Sequence, residues 1–205
     1  VSDYARFAIL YEHGGLYFDT DVELIRPIDD LIAAGPFMGL ESDADIVGES
    51  KVAPGLAANP GLGLAANPGL SLYKAILDSY AGDHFIRPDG SYNYRTVVER
   101  TTDILLEAGL AEKPGVQQVE GVTIYPSSYF NPTDLSTGML NICEETRSIH
   151  HYGASWQPES LRQVGKMKQS LTARLPWLPT RIRSSLAWAL YIMRTGDVHA
   201  LRERY

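Results

Sequence analysis

The sequence predicts an α/β fold in which a mixed sheet is flanked by helices. Three observations predict it. Apolar residues recur at helical spacing from Tyr4 to Tyr11 and from Val98 to Leu106. Short apolar runs of strand length alternate with such segments, at 16–18, 37–40 and 122–125. Glycine and proline punctuate the boundaries, at Gly14-Gly15, Pro27, Gly109 and Pro126.

The first element starts at Ser2, which reads as an N-cap with Asp3 in the first turn, where a carboxylate is favourable. Tyr4, Phe7, Ala8, Leu10 and Tyr11 supply its apolar face. Asp3 and Arg6 are three apart and share one side; taken alone they make a surface ion pair worth at most ~1 kcal/mol. Gly14-Gly15 stops the helix. Leu16-Tyr17-Phe18 reads as a short buried strand, apolar on both faces, with Asp19 and Asp21 at its carboxyl end. Strand alternation puts residues i and i+2 on one face. Two carboxylates there repel each other and lose hydration unless a cation sits between them. A hard divalent ion, Mn²⁺ or Mg²⁺, fits such oxygens. The plainer reading makes both aspartates turn residues.

Val22 to Ile25 continues extended, Arg26-Pro27 breaks it, and 28–32 makes one helical turn. Phe37 to Leu40 is a buried strand. Glu41, Asp43, Asp45 and Glu49 read as a solvated loop rather than a second cation site. Residues 55–61, Gly-Leu-Ala-Ala-Asn-Pro-Gly, recur at 63–69. Two units are too few for a solenoid. The second copy leads into a helix at 71–77 with Asn67-Pro68 at its start, so the first copy reads as an eight-residue insertion, tolerable only in a loop. Residues 83–93 form a polar loop with several aromatics. A helix over 95–108 turns Val98, Thr102, Leu105 and Leu106 inward and stops at Gly109. Strands follow at 122–125 and 148–152, the second leading into His150-His151-Tyr152-Gly153-Ala154-Ser155-Trp156. A His pair beside an aromatic is more often packing than ligation, though imidazole is an acceptable Mn²⁺ ligand.

Composition bounds the function. The 205 residues suffice for one sizeable core. No apolar run reaches the ~18 residues that a membrane span needs. Cys143, the single cysteine, excludes an intrachain disulfide, suits a reducing, cytoplasmic compartment and reads as buried packing. The net charge of −7 hides an asymmetry. Residues 1–158 hold 9 Lys/Arg and 22 Asp/Glu, a net −13, whereas residues 159–205 hold 9 and 3, a net +6. An acidic body argues against nucleic acid; a basic tail leaves an anionic membrane surface open to it. That tail reads as helices broken at Leu175-Pro176-Trp177-Leu178-Pro179. Trp177, Leu178, Ile182, Leu186, Leu190 and Met193 form an apolar stripe, flanked by Arg174, Arg181, Arg183 and Arg194. Two uses suit it: covering the core, or peripheral membrane contact.

Ser2-Asp3-Tyr4-Ala5-Arg6, followed by Gly14-Gly15-Leu16-Tyr17-Phe18-Asp19-Thr20-Asp21, resembles the signature of glycosyltransferases with the GT-A fold. The capsular-polysaccharide and OCH1-like sugar transferases (family 32-like), relatives of the glucosylating bacterial toxins, match best. The resemblance covers 1–25 closely and 37–80 loosely, and returns at 149–156. It implies a GT-A-like catalytic domain over 1–157 and a basic helical extension over 158–205. It implies that Asp3 and Arg6 hold hydroxyls of the donor sugar, and that Asp19 and Asp21 bind Mn²⁺ (or Mg²⁺). His151 is the first choice as third ligand, His150 the alternative. Ser155 and Trp156 would contact the diphosphate through hydroxyl and indole N–H. Asn67 would border the sugar, with Asn59 behind it in rank. Tyr129-Phe130-Asn131-Pro132 resembles a loop on the acceptor side. The implied donor is a UDP-sugar or GDP-sugar, the acceptor a glycan hydroxyl, and the transfer of a hexose retaining. The family's base-binding strands are expected before Val1, so residues 1–205 alone are expected to be inactive and to be unstable or to self-associate. Two other classes fit the same motif: a non-catalytic divalent-cation-binding module and a metal-dependent phosphohydrolase.

Overall fold

A computed structural model describes residues 2–43, 56–154 and 157–204. Its architecture is α/β with a mixed sheet flanked by helices and a C-terminal helical pair, consistent with the expected GT-A-like class. The chain forms two compact units, Val1–Pro132 with Ile142–His151, and Thr133–Asn141 with Tyr152–Tyr205.

The first unit begins with α1 (Ser2–His13), which buries Arg6, Phe7 and Leu10. Leu10 O accepts from Gly14 N, and Gly14 and Gly15 both take positive φ, the backbone that ends the helix. The strands are β1 (Gly15–Tyr17), β2 (Val22–Leu24), β3 (Phe37–Ser42), β4 (Ala57–Ala58), β5 (Leu64–Ala66), β6 (Gln117–Val119), β7 (Val122–Tyr125) and β8 (Ser148–His150). The helices of this unit are α1, α2 (Asp29–Ala33), α3 (Ser71–Asp78), α4 (Val97–Glu107) and α5 (Ser127–Phe130). The main sheet runs β1-β5-β3-β7-β6, with β4 also on β3. Among the described residues, only β3 and β7 pair in parallel. A separate antiparallel pair joins β2 to β8.

Strand β3 is central and its first four residues are buried, as its run of apolar residues predicts. Strand β1 departs from expectation. Among the described residues it pairs with β5 alone, and Leu16 is 45% exposed. The main core lies between the sheet and α1, α3 and α4, where Phe7 meets Tyr73 edge-to-face at 5.0 Å. A second cluster holds Phe37 stacked on Phe130 at 5.5 Å. Helix α4 starts with a capping box between Thr96 and Glu99, worth ~1 kcal/mol. It buries Thr102 and Leu105 but also Arg100, while Leu106 faces solvent. Arg100 is affordable inside because Asp83, Ser79 O and the Tyr80 ring partner its guanidinium.

The glycine-alanine repeat is not a loop insertion. Its two copies supply β4 and β5, which pair in tandem with successive parts of β3: Leu40 with Ala58, Met38 with Leu64. Alanines suit both, since Ala58, Ala65 and Ala66 are buried in close-packed sheet. Glu41 and Asp43 are likewise structural rather than solvated: Glu41 accepts from Asn59 Nδ2, and Asp43 from Ser127 N and Oγ. Asp45 and Glu49 lie outside the described residues. Cys143 is half-buried, its Sγ 3.3 Å from Thr146 Oγ1.

In the second unit α6 (Glu159–Arg174) and α7 (Thr180–Thr195) pack on each other, followed by a 3₁₀ turn (His199–Arg204). Their shared core is Val164, Ala187, Trp188, Tyr191 and Ala200. The expected stripe is therefore not the packing face. Trp177, Ile182, Leu186, Leu190 and Met193 are exposed, because α7 is apolar on two sides and α6 takes the side of Trp188 and Tyr191.

Candidate active site

Asp19 and Asp21 converge through a turn rather than through strand alternation. Val22 N donates to Asp19 O at 3.0 Å, closing a four-residue turn between β1 and β2. The β2–β8 ladder sets His150 opposite Val22, one residue from Asp21. His150 Nε2 lies 3.0 Å from Asp21 Oδ1, and the ring is 7% exposed. Side-chain ligand atoms of Asp19, Asp21 and His150 all fall within 4.8 Å of one another. His151 does not join them. Adjacent strand residues face opposite ways, and His151 Nε2 sits on Glu23 at 2.8 Å, exposed. Its backbone N–H still extends the ladder, donating to Asp21 O at 3.0 Å.

Asp19 is held from several directions. Arg6 Nη1 lies 3.2 Å from its Oδ1, and Tyr17 Oη donates to the same oxygen at 2.7 Å. Arg6 is 7% exposed, pairs with Asp3 through Nη2 at 2.8 Å, and stacks 4.7 Å from the Tyr17 ring. Its Nε is buried and makes no hydrogen bond. Burial pushes the Tyr17 phenol up to about 12, and the hydrogen bond to Asp19 pushes the same way. Tyr17 therefore stays protonated, and a donor, across the physiological range.

On the other side, Asp19 N donates to Gly61 O at 2.9 Å. Gly61 has no side chain for a reason: a Cβ there would lie 2.1 Å from Asp19 Oδ2. Asn59 shapes this loop, its Oδ1 accepting from Gly61 N at 2.8 Å while its Nδ2 donates to Glu41 at 3.0 Å. Asn67 is exposed at the start of the turn into α3. It is thus the first copy of the repeat, not the second, that borders the carboxylates. Ser155 and Trp156 lie outside the described residues. Asn131 belongs to packing: it is buried and donates from Nδ2 to Glu41 O.

A family model matches here. Residues 1–38 match the glycosyltransferase sugar-binding region containing the DXD motif. No curated protein and no solved structure matches the chain. The matched stretch carries Asp3, Arg6, Tyr17 and the Asp19-Thr20-Asp21 motif itself, while His150 of the cluster lies outside it. Sequence reasoning missed Tyr17, Gly61 and the rank of Asn59. Tyr17 reads as one more apolar residue of a strand, and Gly61 as turn chemistry; a run of small residues does signal close backbone approach, but not to what.

The donor set fits a hard divalent ion. Ligand atoms of two carboxylates and one imidazole lie within 4.8 Å of one another, and the glycine opposite leaves Asp19 Oδ2 room.

Proposed function

We propose that this protein is a metal-dependent glycosyltransferase that moves a hexose, with retention, from a nucleotide diphosphate sugar to an acceptor hydroxyl in glycan or polysaccharide biosynthesis. The observation that carries the reading is the convergence of Asp19 and Asp21, beside the Asp3–Arg6 pair and inside the segment that matches the sugar-binding model, with His150 brought to them by β8. Asp19, Asp21 and His150 would hold Mn²⁺ or Mg²⁺, with His150 ahead of His151 because of its position. The ion, when bound, supplies Lewis-acid stabilisation to the leaving diphosphate. Arg6 and Asp3 orient sugar hydroxyls; their mutual ion pair fixes both side chains before the sugar arrives, which lowers the entropy lost on binding. Tyr17 donates to Asp19 and holds one carboxylate oxygen, leaving the second directed towards the Gly61 side. Ser155 and Trp156 belong to the proposal as diphosphate donors on the strength of the sequence resemblance alone. Residues 1–157 are proposed as the catalytic domain and 158–205 as its basic extension. UDP-sugars are the first donors to try, GDP-sugars the second.

The test is donor hydrolysis and transfer with Mn²⁺, comparing the wild type with Asp21→Ala. Release of nucleoside diphosphate that is lost in the variant, while its unfolding temperature is kept, supports the reading. Metal binding without release of any nucleotide would point to a cation-binding module. Release of free phosphate or sugar phosphate would point to a phosphohydrolase.

A further inference from the structure

Helix α7 uses one side to pack on α6 and leaves the other to solvent. Ile182, Leu186, Leu190 and Met193 stand at helical spacing along that outer side, with Met193 74% exposed. Trp177, 76% exposed, continues the stripe at the turn between the two helices. Between Ser160 and Gly196 the charge is of one sign. Residues 160–196 contain seven Lys/Arg and no Asp or Glu, and Arg174, Arg181 and Arg194 are exposed.

An apolar helix face with an aromatic at one end and arginines near both ends has the character of an interfacial helix. A second copy of the same face is a poor occupant. Symmetric pairing would set arginines against arginines, with no acidic residue in either stripe to offset them. Crossing a bilayer is also excluded for α7, since 16 residues rise only ~24 Å, and among the described residues no helix is long and apolar enough to span. We propose that the outer face of α7, with Trp177, docks the protein on an anionic lipid surface. The side chains of the stripe would enter the headgroup boundary, and the arginines would reach the lipid phosphates, their stems lying along the apolar surface. The inference is independent of the transfer chemistry.

Co-sedimentation of the full chain with phosphatidylcholine vesicles, with and without phosphatidylglycerol, tests it. Binding is expected to anionic vesicles and to fall at least ~10-fold without phosphatidylglycerol or at high salt. Arg174→Gln, Arg181→Gln and Arg194→Gln should each weaken partitioning ~5-fold, and the triple variant ~100-fold. Ile182→Asp with Met193→Asp should abolish it, with the unfolding temperature unchanged because both side chains are exposed. Absence of binding to anionic vesicles overturns the proposal. So does equal binding by wild type and the double aspartate variant. A lipid-free dimer that the same two substitutions dissolve would assign the face to a second copy instead. None of these readouts needs Mn²⁺ or a sugar donor, so failure of the catalytic reading would leave them unchanged.

Discussion

Replacing Gly61 by alanine adds one methyl group at the tightest point around the candidate metal centre. The new Cβ would stand 2.1 Å from Asp19 Oδ2, 2.9 Å from Asp19 Cγ and 3.1 Å from Asn59 Oδ1. Real Cβ contacts stay beyond 3.0 Å, so the Asp19 carboxylate must retreat by about 1 Å. It is not free to do so at no cost. Tyr17 and Arg6 hold its other oxygen at 2.7 and 3.2 Å, and the Gly61 carbonyl holds its backbone N–H. The overpacking should cost ~1–3 kcal/mol of stability. The larger effect falls on function, since a displacement of ~1 Å in a positioning group can cost ~100-fold in rate. Calorimetric titration with Mn²⁺ and a donor-hydrolysis assay measure it. The control is Gly39→Ala, whose Cβ would meet Phe130 at 2.9 Å, in the packing beneath β3. That variant should lose comparable stability while keeping Mn²⁺ affinity. If Gly61→Ala destabilises the protein yet binds Mn²⁺ and turns over donor as the wild type does, then Asp19 is not placed by this loop and the argument fails.

His150→Ala should lower Mn²⁺ affinity by at least ~10-fold, whereas His151→Ala should leave it within twofold; the reverse order, read by calorimetry, would refute the placement of the two rings. Replacing Arg6 with Met should cut transfer ~100-fold and, because Arg6 also pairs with Asp19, weaken Mn²⁺ binding as well; unchanged transfer would place Arg6 elsewhere. Tyr17→Phe removes a hydrogen bond to a carboxylate, worth ~1.5–3 kcal/mol, and should weaken Mn²⁺ binding; an unchanged titration would show that Asp19 needs no such support. Thr96→Ala deletes the capping box of α4 and should cost ~1 kcal/mol in chemical denaturation, with Mn²⁺ affinity unaltered because that helix end contributes no candidate ligand.

Much of the fold was legible because local chemistry controls it. The apolar periodicity of Phe7 and Leu10 marks α1, Gly14-Gly15 marks its end, and the runs at 37–40 and 122–125 mark β3 and β7. These are properties of neighbouring residues, and short-range sterics and burial suffice to express them. The Asp19-Thr20-Asp21 motif and the Asp3–Arg6 spacing belong to the same class, being separations along a few residues of chain.

What the tertiary structure decided concerns faces and partners. No local signal says which of two adjacent histidines meets Asp21; the register of β8 on β2 does, by turning His150 towards it and His151 towards Glu23. No local signal says which of two identical repeats borders Asp19; their tandem pairing on β3 does. On α7 two sides are apolar, and the position of Val164 on α6 selects Trp188 and Tyr191 for burial, leaving Met193 outside. In each case the sequence determined that a residue could serve, and contacts between segments distant in the chain determined that it does. The physical reason is common to all three: a strand or helix with two competent faces has nearly the same local free energy either way, so only long-range packing breaks the tie.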